Sequence, residues 1–371
     1  MRLAGACGGL TMLSRDSMLA EDPQVPCSIS LPVADNGKVI AGEFLTSYWG
    51  LTRSLGGDPA MLLAEAGIAL SSLHQSGGKV PLRAAANLLE ISARVLGCSD
   101  FGMRLAERQN GASIMKPVDR LISNAPTLGD ANRYVTSQMR AYSPGICATL
   151  ERDTERKMHF LGVELLLDGF VAYPQIAEQI VLLIQTTTLA LTGGGARVRE
   201  VWFSHPRVSR LATYSRRFGV HVRFGQPITG AFLTDADLNC ELVDRDPRIF
   251  AAESRWAAAR FPDQPPGIAV QVRQAIMRTL AEENCTRAHV AASLGMHTRT
   301  LQRRLCGVGI SFEALRDEVR RSLAARYLAR GDLCLTEIVD RLGYSEPAVL
   351  SRSCRRWFAA TPSELRRNLI R

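Results

Sequence analysis

From residue 41 the apolar positions recur at helical spacing. Phe44, Leu45, Tyr48, Trp49 and Leu51 share one face of a predicted helix that Gly56-Gly57 closes. Asp58 followed by Pro59 is an N-cap with proline in the first turn, which predicts a helix over 60–66 ending at Gly67. Further helices are predicted from Pro81 to Gly97, over 100–108, over 113–123 and over 128–141. The apolar period then shortens, and 146–152 and 157–167 read as two strands of a hairpin around 153–154. Pro174 opens a long amphipathic helix that ends near Gly193. Beyond it come a strand over 198–203, a helix over 208–218, strands over 220–224 and 228–233, and a helix from Asp246-Pro247 to about Arg260. This is an α+β layout, with helices leading and a small sheet interrupted by helices. Residues 1–40 carry no sustained period and are expected to form a mostly disordered extension.

Three prolines and a glycine fall within the seven residues 261–267. Such a stretch cannot continue a helix and favours a semi-rigid spacer. The expected organisation is therefore a domain over 41–250, a helix end and linker over 251–267, and a second domain over 268–371. The second domain is predicted to be all-helical. Its segments run over 270–280, 286–294, 298–306, 311–329, 337–342 and 346–358, with a last helix from Pro362. Thr286, Thr336 and Ser345 are candidate N-caps, while His297 is a weak one.

Two stretches of this second half repeat one pattern. Residues 286–305 and 335–357 each place a short apolar helix before a Leu-Gly turn and an Arg-rich second helix. Leu294-Gly295 and Leu342-Gly343 are the turns; Leu301 and Leu350 are the matching core positions. These are two helix–turn–helix units joined by a long helix over 311–329. Trp357 and Phe358 are expected to pack in the core.

Charge sharpens this picture. The net charge is +9. Residues 268–371 hold 18 Arg, no Lys and 10 acidic residues, a net of +8. Concentrated positive charge on one domain is what a nucleic-acid binder needs to meet phosphate. The guanidinium fork also suits phosphate oxygens and guanine edges.

Other chemistries find little support. The nine cysteines are scattered, without CxxC or Cys/His ligand spacing, so buried thiols in a reducing compartment are expected. The six histidines show no ligand spacing, and no HExxH, GxSxG or P-loop string occurs. Gly193-Gly194-Gly195 follows a helix and precedes a strand, the reverse of a phosphate cradle. No enzyme, metal or cofactor is expected. No run of 18 apolar residues is present, so no membrane span is expected. Tyr48, Trp49, Tyr134, Tyr142, Phe160 and Trp202 are candidate pocket aromatics, although residues so spaced are more often core.

The strings LGMHTRTLQRRL, SFEALRDEVRRSLAARYL and LTEIVDRLGYSEPAVLSRSCRRWFAATPSELR resemble the DNA-binding domain of the AraC/XylS family of bacterial transcription regulators. The likeness spans about 100 residues in order. GDPAMLLAEAGI, VPLRAAANLLEISARVLG and VWFSHPRVSRLATYSRRFGVHVRFGQPITGAFLTDADL resemble the arabinose-binding-type regulatory domain of one subgroup. The resemblance implies a cytoplasmic, nucleoid-associated homodimer that reads double-stranded DNA in the major groove. It also implies an activator that meets RNA polymerase and answers to a small-molecule effector, not necessarily arabinose. By position, Arg299, Gln302 and Arg303 in the first unit and Ala348, Ser351 and Arg352 in the second would contact bases. Arg304, Arg355 and Arg356 would contact phosphate. The sequence departs from the family pattern at His297, Val339, Leu350 and Cys354, which leaves the readout of the second unit the less defined. A repressor or architectural regulator controlled by a protein partner, with no small-molecule ligand, is the competing reading.

Overall fold

A computed structural model of the chain describes residues 38–74, 78–116, 118–143, 145–153, 156–167, 173–260, 267–280, 285–329 and 333–370. The expected N-terminal extension up to residue 37, linker residues 261–266 and Gly331 lie outside the described residues.

The first half begins with β1 (Val39–Ala41) and a 3-10 turn over Gly42–Leu45. Three helices follow: α1 (Tyr48–Ser54), α2 (Pro59–Glu65) and α3 (Ser71–His74). β2 (Lys79–Pro81) pairs antiparallel with β1. Then come α4 (Leu82–Val95), α5 (Phe101–Glu107), α6 (Gly111–Ile114), α7 (Asp119–Ser123) and α8 (Leu128–Tyr142). The hairpin β3 (Ile146–Asp153) and β4 (Met158–Leu165) leads into α9 (Pro174–Leu191). β5 (Glu200–Trp202), α10 (Leu211–Phe218), β6 (His221–Arg223), β7 (Thr229–Leu233), α11 (Asp235–Leu238) and α12 (Pro247–Arg260) complete this half.

Strands β3 to β7 form one sheet in the order β3-β4-β7-β5-β6. Every pair is antiparallel except β5 with β6. All five residues of the central strand β7 are buried, which is why it reads as an apolar run rather than an alternation. The two-stranded β1–β2 ribbon escapes the sequence reading because each strand is three residues long, too short for a period to show.

Several sequence expectations need correction. The first helix does not start at 41: Ser47 has φ 69°, so the chain turns between the 3-10 turn and α1. That turn also rotates Trp49 to the surface, at 39% exposure. The helix predicted over 113–123 is two short ones, α6 and α7. By contrast, Asp58 caps α2 as expected, its Oδ1 accepting from the Ala60 amide at 2.9 Å.

The long helix α9 is the spine of this half. Gln175, Glu178, Gln179 and Gln185 interrupt its apolar sequence, yet all four are buried. The three glutamines bond backbone groups of neighbouring segments, Gln175 Oε1 accepting from the Gly102 amide at 2.9 Å and Gln179 Nε2 donating to the Phe44 carbonyl at 2.7 Å, while Glu178 accepts from the Tyr214 hydroxyl. Buried polar side chains are tolerated when so bonded. No helix among the described residues is long and apolar enough to cross a membrane.

The second half is helical: α13 (Ile268–Thr279), α14 (Arg287–Ser293), α15 (Thr298–Cys306), α16 (Phe312–Ala329), α17 (Leu335–Arg341), α18 (Pro347–Phe358) and α19 (Pro362–Ile370). It has its own core, in which Val290, Leu301, Val319, Leu323, Ile338, Leu342 and Leu350 are almost fully buried. Ile228, from the first half, packs against that core.

Candidate nucleic-acid interface

Each helix–turn–helix unit follows from local chemistry. Thr286 caps α14 as predicted, its hydroxyl accepting from the His289 amide at 3.2 Å. His297 is the N-cap of α15, with Nδ1 3.3 Å from the Arg299 amide, a long bond for a cap. The predicted caps of the second unit are displaced, by two residues in α17 and by one in α18. Cys334, not Thr336, caps α17, in a box with Glu337: its sulfur accepts from the Glu337 amide at 3.4 Å while Glu337 Oε2 accepts from the Cys334 amide at 2.7 Å. Glu346, not Ser345, occupies the cap position of α18, and no side chain bonds there. Pro347 in the first turn has no N–H to satisfy.

The two turns use glycine differently. Gly295 and Gly343 have φ of 64° and 60°, in the left-handed region. Around Gly295 the space for a side chain is open. At Gly343 a Cβ would run into the carbonyl oxygen of Leu280, at the C-terminus of α13.

Burial sorts the faces of the second helices. Leu301 and Leu305 turn α15 inward and leave Arg299, Gln302, Arg303 and Arg304 exposed. Leu350, Ser353 and Cys354 turn α18 inward. Ala348, Arg352, Arg355 and Arg356 are then exposed and Ser351 half-buried. Among the described residues Arg299, Arg303, Arg352 and Arg355 have no carboxylate within ion-pair distance, whereas Arg356 pairs with Asp317. Unpaired guanidinium groups on two outward faces are donors for an external polyanion. The core positions are as expected at Leu301, Leu342 and Leu350; Leu294, Trp357 and Phe358 are half-buried and pack at its edge.

What sequence reading missed is how α16 holds the two units. Arg320 donates from Nε to the Leu342 carbonyl at 2.9 Å and from Nη2 to the Gly343 carbonyl at 2.7 Å, and its guanidinium lies 4.3 Å from the Tyr344 ring centre. One turn earlier, Arg316 Nη1 reaches the Cys285 carbonyl at 3.4 Å, at the entry to the first unit. Asp317 takes the Trp357 indole N–H at 2.9 Å as well as Arg356. Residues 316, 317 and 320 thus grip both units from one helix. Their signal in sequence is weak, because Arg and Asp on a helix are usually solvated.

A second missed set joins the halves. On α13, Arg273 Nε bonds Glu164 Oε1 at 3.0 Å, and its Nη1 pairs with Glu318 on α16. Gln274 Nε2 lies 3.1 Å from Cys147 Sγ, and Arg278 pairs with Glu151. The DNA-binding half is therefore seated on β3 and β4.

The candidate pocket aromatics fall elsewhere. Tyr48 is buried, its hydroxyl 2.9 Å from Ser92 Oγ. Phe160 and Trp202 pack with Phe232, and Arg156 lies over the Trp202 ring. The Tyr142 side chain is outside the described residues.

A helical head with two helix–turn–helix units, seated on an α+β domain, defines the class of a two-domain DNA-binding regulator. Comparison with known proteins agrees. Residues 56–242 match the family described as the arabinose-binding domain of AraC transcription regulator, N-terminal, and residues 290–368 match a helix-turn-helix domain. The chain is 34% identical over 332 residues to the HTH-type transcriptional regulator VirS of Mycobacterium tuberculosis, covering 89% of this chain and 97% of that protein. It is 26% identical to the ornithine utilization regulator of Pseudomonas aeruginosa, over 76% of this chain and 82% of that one. Among solved structures, the transcriptional regulator CdpR of Pseudomonas aeruginosa aligns with a TM-score of 0.41 and 20% identity, over 86% of this chain and 98% of that one. The chain belongs to the AraC family of DNA-binding transcription regulators, with an arabinose-binding-type N-terminal domain.

Proposed function

We propose that this regulator is an effector-controlled activator that acts without enzymatic turnover. Residues 41–250 bind a small molecule and dimerise the protein, 251–267 connect, and 268–371 engage DNA. Arg299, Gln302 and Arg303, with Ala348, Ser351 and Arg352, meet base edges in successive major grooves. Arg304, Arg355 and Arg356 meet phosphate, and the activator works in the cytoplasm on RNA polymerase at its promoters. The observation that carries this reading is the pair of outward arginine faces on α15 and α18, gripped together by Arg316, Asp317 and Arg320. Two recognition helices on a rigid connection dock on one face of the duplex if they sit about one helical turn, roughly 34 Å, apart or if the DNA bends. Control by an effector requires that it bind two states of the protein with different affinity. The seating of α13 and α16 on the sheet supplies a contact through which those states can differ.

Footprinting of the full-length protein on its own upstream region, with and without a fraction of cell metabolites, tests this. Two protected major-groove segments on one face, altered by the metabolites, are expected. Protection that no metabolite alters would instead support a regulator controlled by a protein partner.

A further inference from the structure

Between the sheet and the helical head lies a cavity of about 70 Å³. Its walls come from both halves: Glu164 on β4, Ile180 on α9, His205 and Ile228 from the loops flanking the sheet, Met277 on α13 and Arg326 on α16.

The polar groups facing it are incompletely satisfied. His205 is 3% exposed. Its Nδ1 sits 2.7 Å from the Pro206 carbonyl. A carbonyl can only accept, so Nδ1 carries the proton and Nε2 is left as a lone-pair acceptor. That Nε2 has no hydrogen-bond partner, and Glu178 Oε1, whose carboxyl burial pushes well above the usual carboxylate range, lies 3.9 Å away. Burial depresses the imidazole pKa to about 4, so the ring is neutral near pH 7. Glu164 Oε1 is taken by Arg273, but its buried Oε2 has no donor. Arg326 donates to the Pro227 carbonyl at 3.4 Å and, among the described residues, has no carboxylate within ion-pair distance. A guanidinium with no carboxylate in direct contact, Glu164 acting on it only from a longer distance, and two acceptors without donors line one small space. Buried polar groups of this kind are normally satisfied, by protein, water or ligand.

On the reading that the protein is effector-controlled, we propose that this cavity is the effector site and that it takes a small 2-hydroxycarboxylate. The carboxylate sits on the Arg326 guanidinium, a fork suited to it. The hydroxyl donates to His205 Nε2 or Glu164 Oε2, and the short carbon chain lies against Ile180, Ile228 and Met277. The lining sets the class: one guanidinium and two free acceptors around a cavity of about 70 Å³ suit a short acid that carries one hydroxyl. Such a ligand touches the sensor sheet and α16 at once. Arg326 lies six residues beyond Arg320, about 9 Å along the helix axis, so a pull on one reaches the grip on the second unit directly.

The test uses the full-length protein, titrated calorimetrically with sodium glycolate, sodium lactate, sodium acetate and ethane-1,2-diol at one ionic strength. Glycolate or lactate should saturate one site per chain. Acetate, lacking the hydroxyl donor, should bind about tenfold more weakly, and the diol, lacking the charge, weaker still. Arg326→Gln should lose at least about tenfold. Ala177→Leu fills the cavity from α9 without altering charge and should abolish binding; it carries the test if Arg326→Gln does not fold. Binding that survives Ala177→Leu, acetate binding equal to glycolate, or no saturation by either hydroxy acid overturns the proposal. Operator affinity of the same preparations separates the two readings. If it persists without any hydroxy-acid binding, this inference alone fails. If the acids saturate but never change it, the cavity is not the effector site. If it is absent throughout, the DNA-binding reading fails.

Discussion

Arg303 and Arg355 are both exposed arginines without a carboxylate partner, yet they stand differently in their helices. Arg303 lies on the outward face of α15 one turn from Arg299, while Arg355 lies in the last turn of α18. Arg303→Ala should cost about 1–3 kcal/mol of specific affinity and relax the preference at one base pair. Arg355→Ala should weaken binding to all sequences alike and lower the slope of log affinity against log salt by about one. Fluorescence anisotropy on operator and scrambled duplexes over a salt series distinguishes them; equal effects on both duplexes from Arg303→Ala would remove it from the base-reading set. The turn glycines make a second pair. Gly295→Ala meets open space and should cost about 1–2 kcal/mol for its left-handed backbone alone. Gly343→Ala adds a collision with the Leu280 carbonyl and should cost more, as urea unfolding of the two variants would show. Both glycines were legible as turn residues. The difference between them was not, since Leu280 is distant in sequence.

At the scale of elements, helices were easy to read where long and capped, and hard where short. Strong signals such as Asp58-Pro59 and Pro174 put α2 and α9 in place, because one or two residues satisfy or remove the free amides of the first turn. The caps of α17 and α18 were misplaced, by two residues and by one, because Thr336 and Ser345 are better cappers than the Cys334 and Glu346 that tertiary packing selects. The four-residue α11 was missed altogether, although it holds one of the tightest polar knots. Burial opposes the charged form of Asp237, but a fork from Arg199 (2.8 and 2.7 Å) and bonds from Thr234 outweigh it and hold the carboxyl at about 2. A folded pKa below the unfolded value of 3.8 means the unfolded chain binds more protons between the two. That stabilisation, about 2 kcal/mol, is present above pH 4 and lost as pH falls from 4 towards 2. Asp237→Asn should therefore destabilise the protein at neutral pH and flatten its stability between pH 4 and 2, measurable by thermal unfolding across that range.

For the whole molecule the decisive contacts are those between halves. Arg273 stands between Glu164 of the sheet and Glu318 of α16, both carboxylates bonded to it. Glu164 is 9% exposed, so removing its cation strands a buried charge. Arg273→Ala should cost about 3 kcal/mol or more and split one unfolding transition into two as the halves uncouple. Calorimetry reads both effects. A single transition with unchanged midpoint would show that the seat is held by its other contacts, Arg278 with Glu151, Gln274 with Cys147 and Ile228 against the helical core.

By itself the sequence determined the local plan: the helical periods, the turn glycines, the tandem arrangement with its arginine-rich faces, and the concentration of charge in the last third. These depend on residues within a few positions of one another, where capping, periodicity and backbone preference act. Tertiary structure alone decided which arginines face outward without partners and which are consumed in structure. Arg299 and Arg303 remain available, while Arg273, Arg316 and Arg320 are spent on carbonyls and carboxylates far off in the chain. The same holds for His205 and Arg326, unremarkable in sequence. They acquire meaning only because folding brings a loop beside the sheet and the far end of α16 to the two sides of one cavity. An arginine has the same letter in every role, and only the distance to its partner separates those roles.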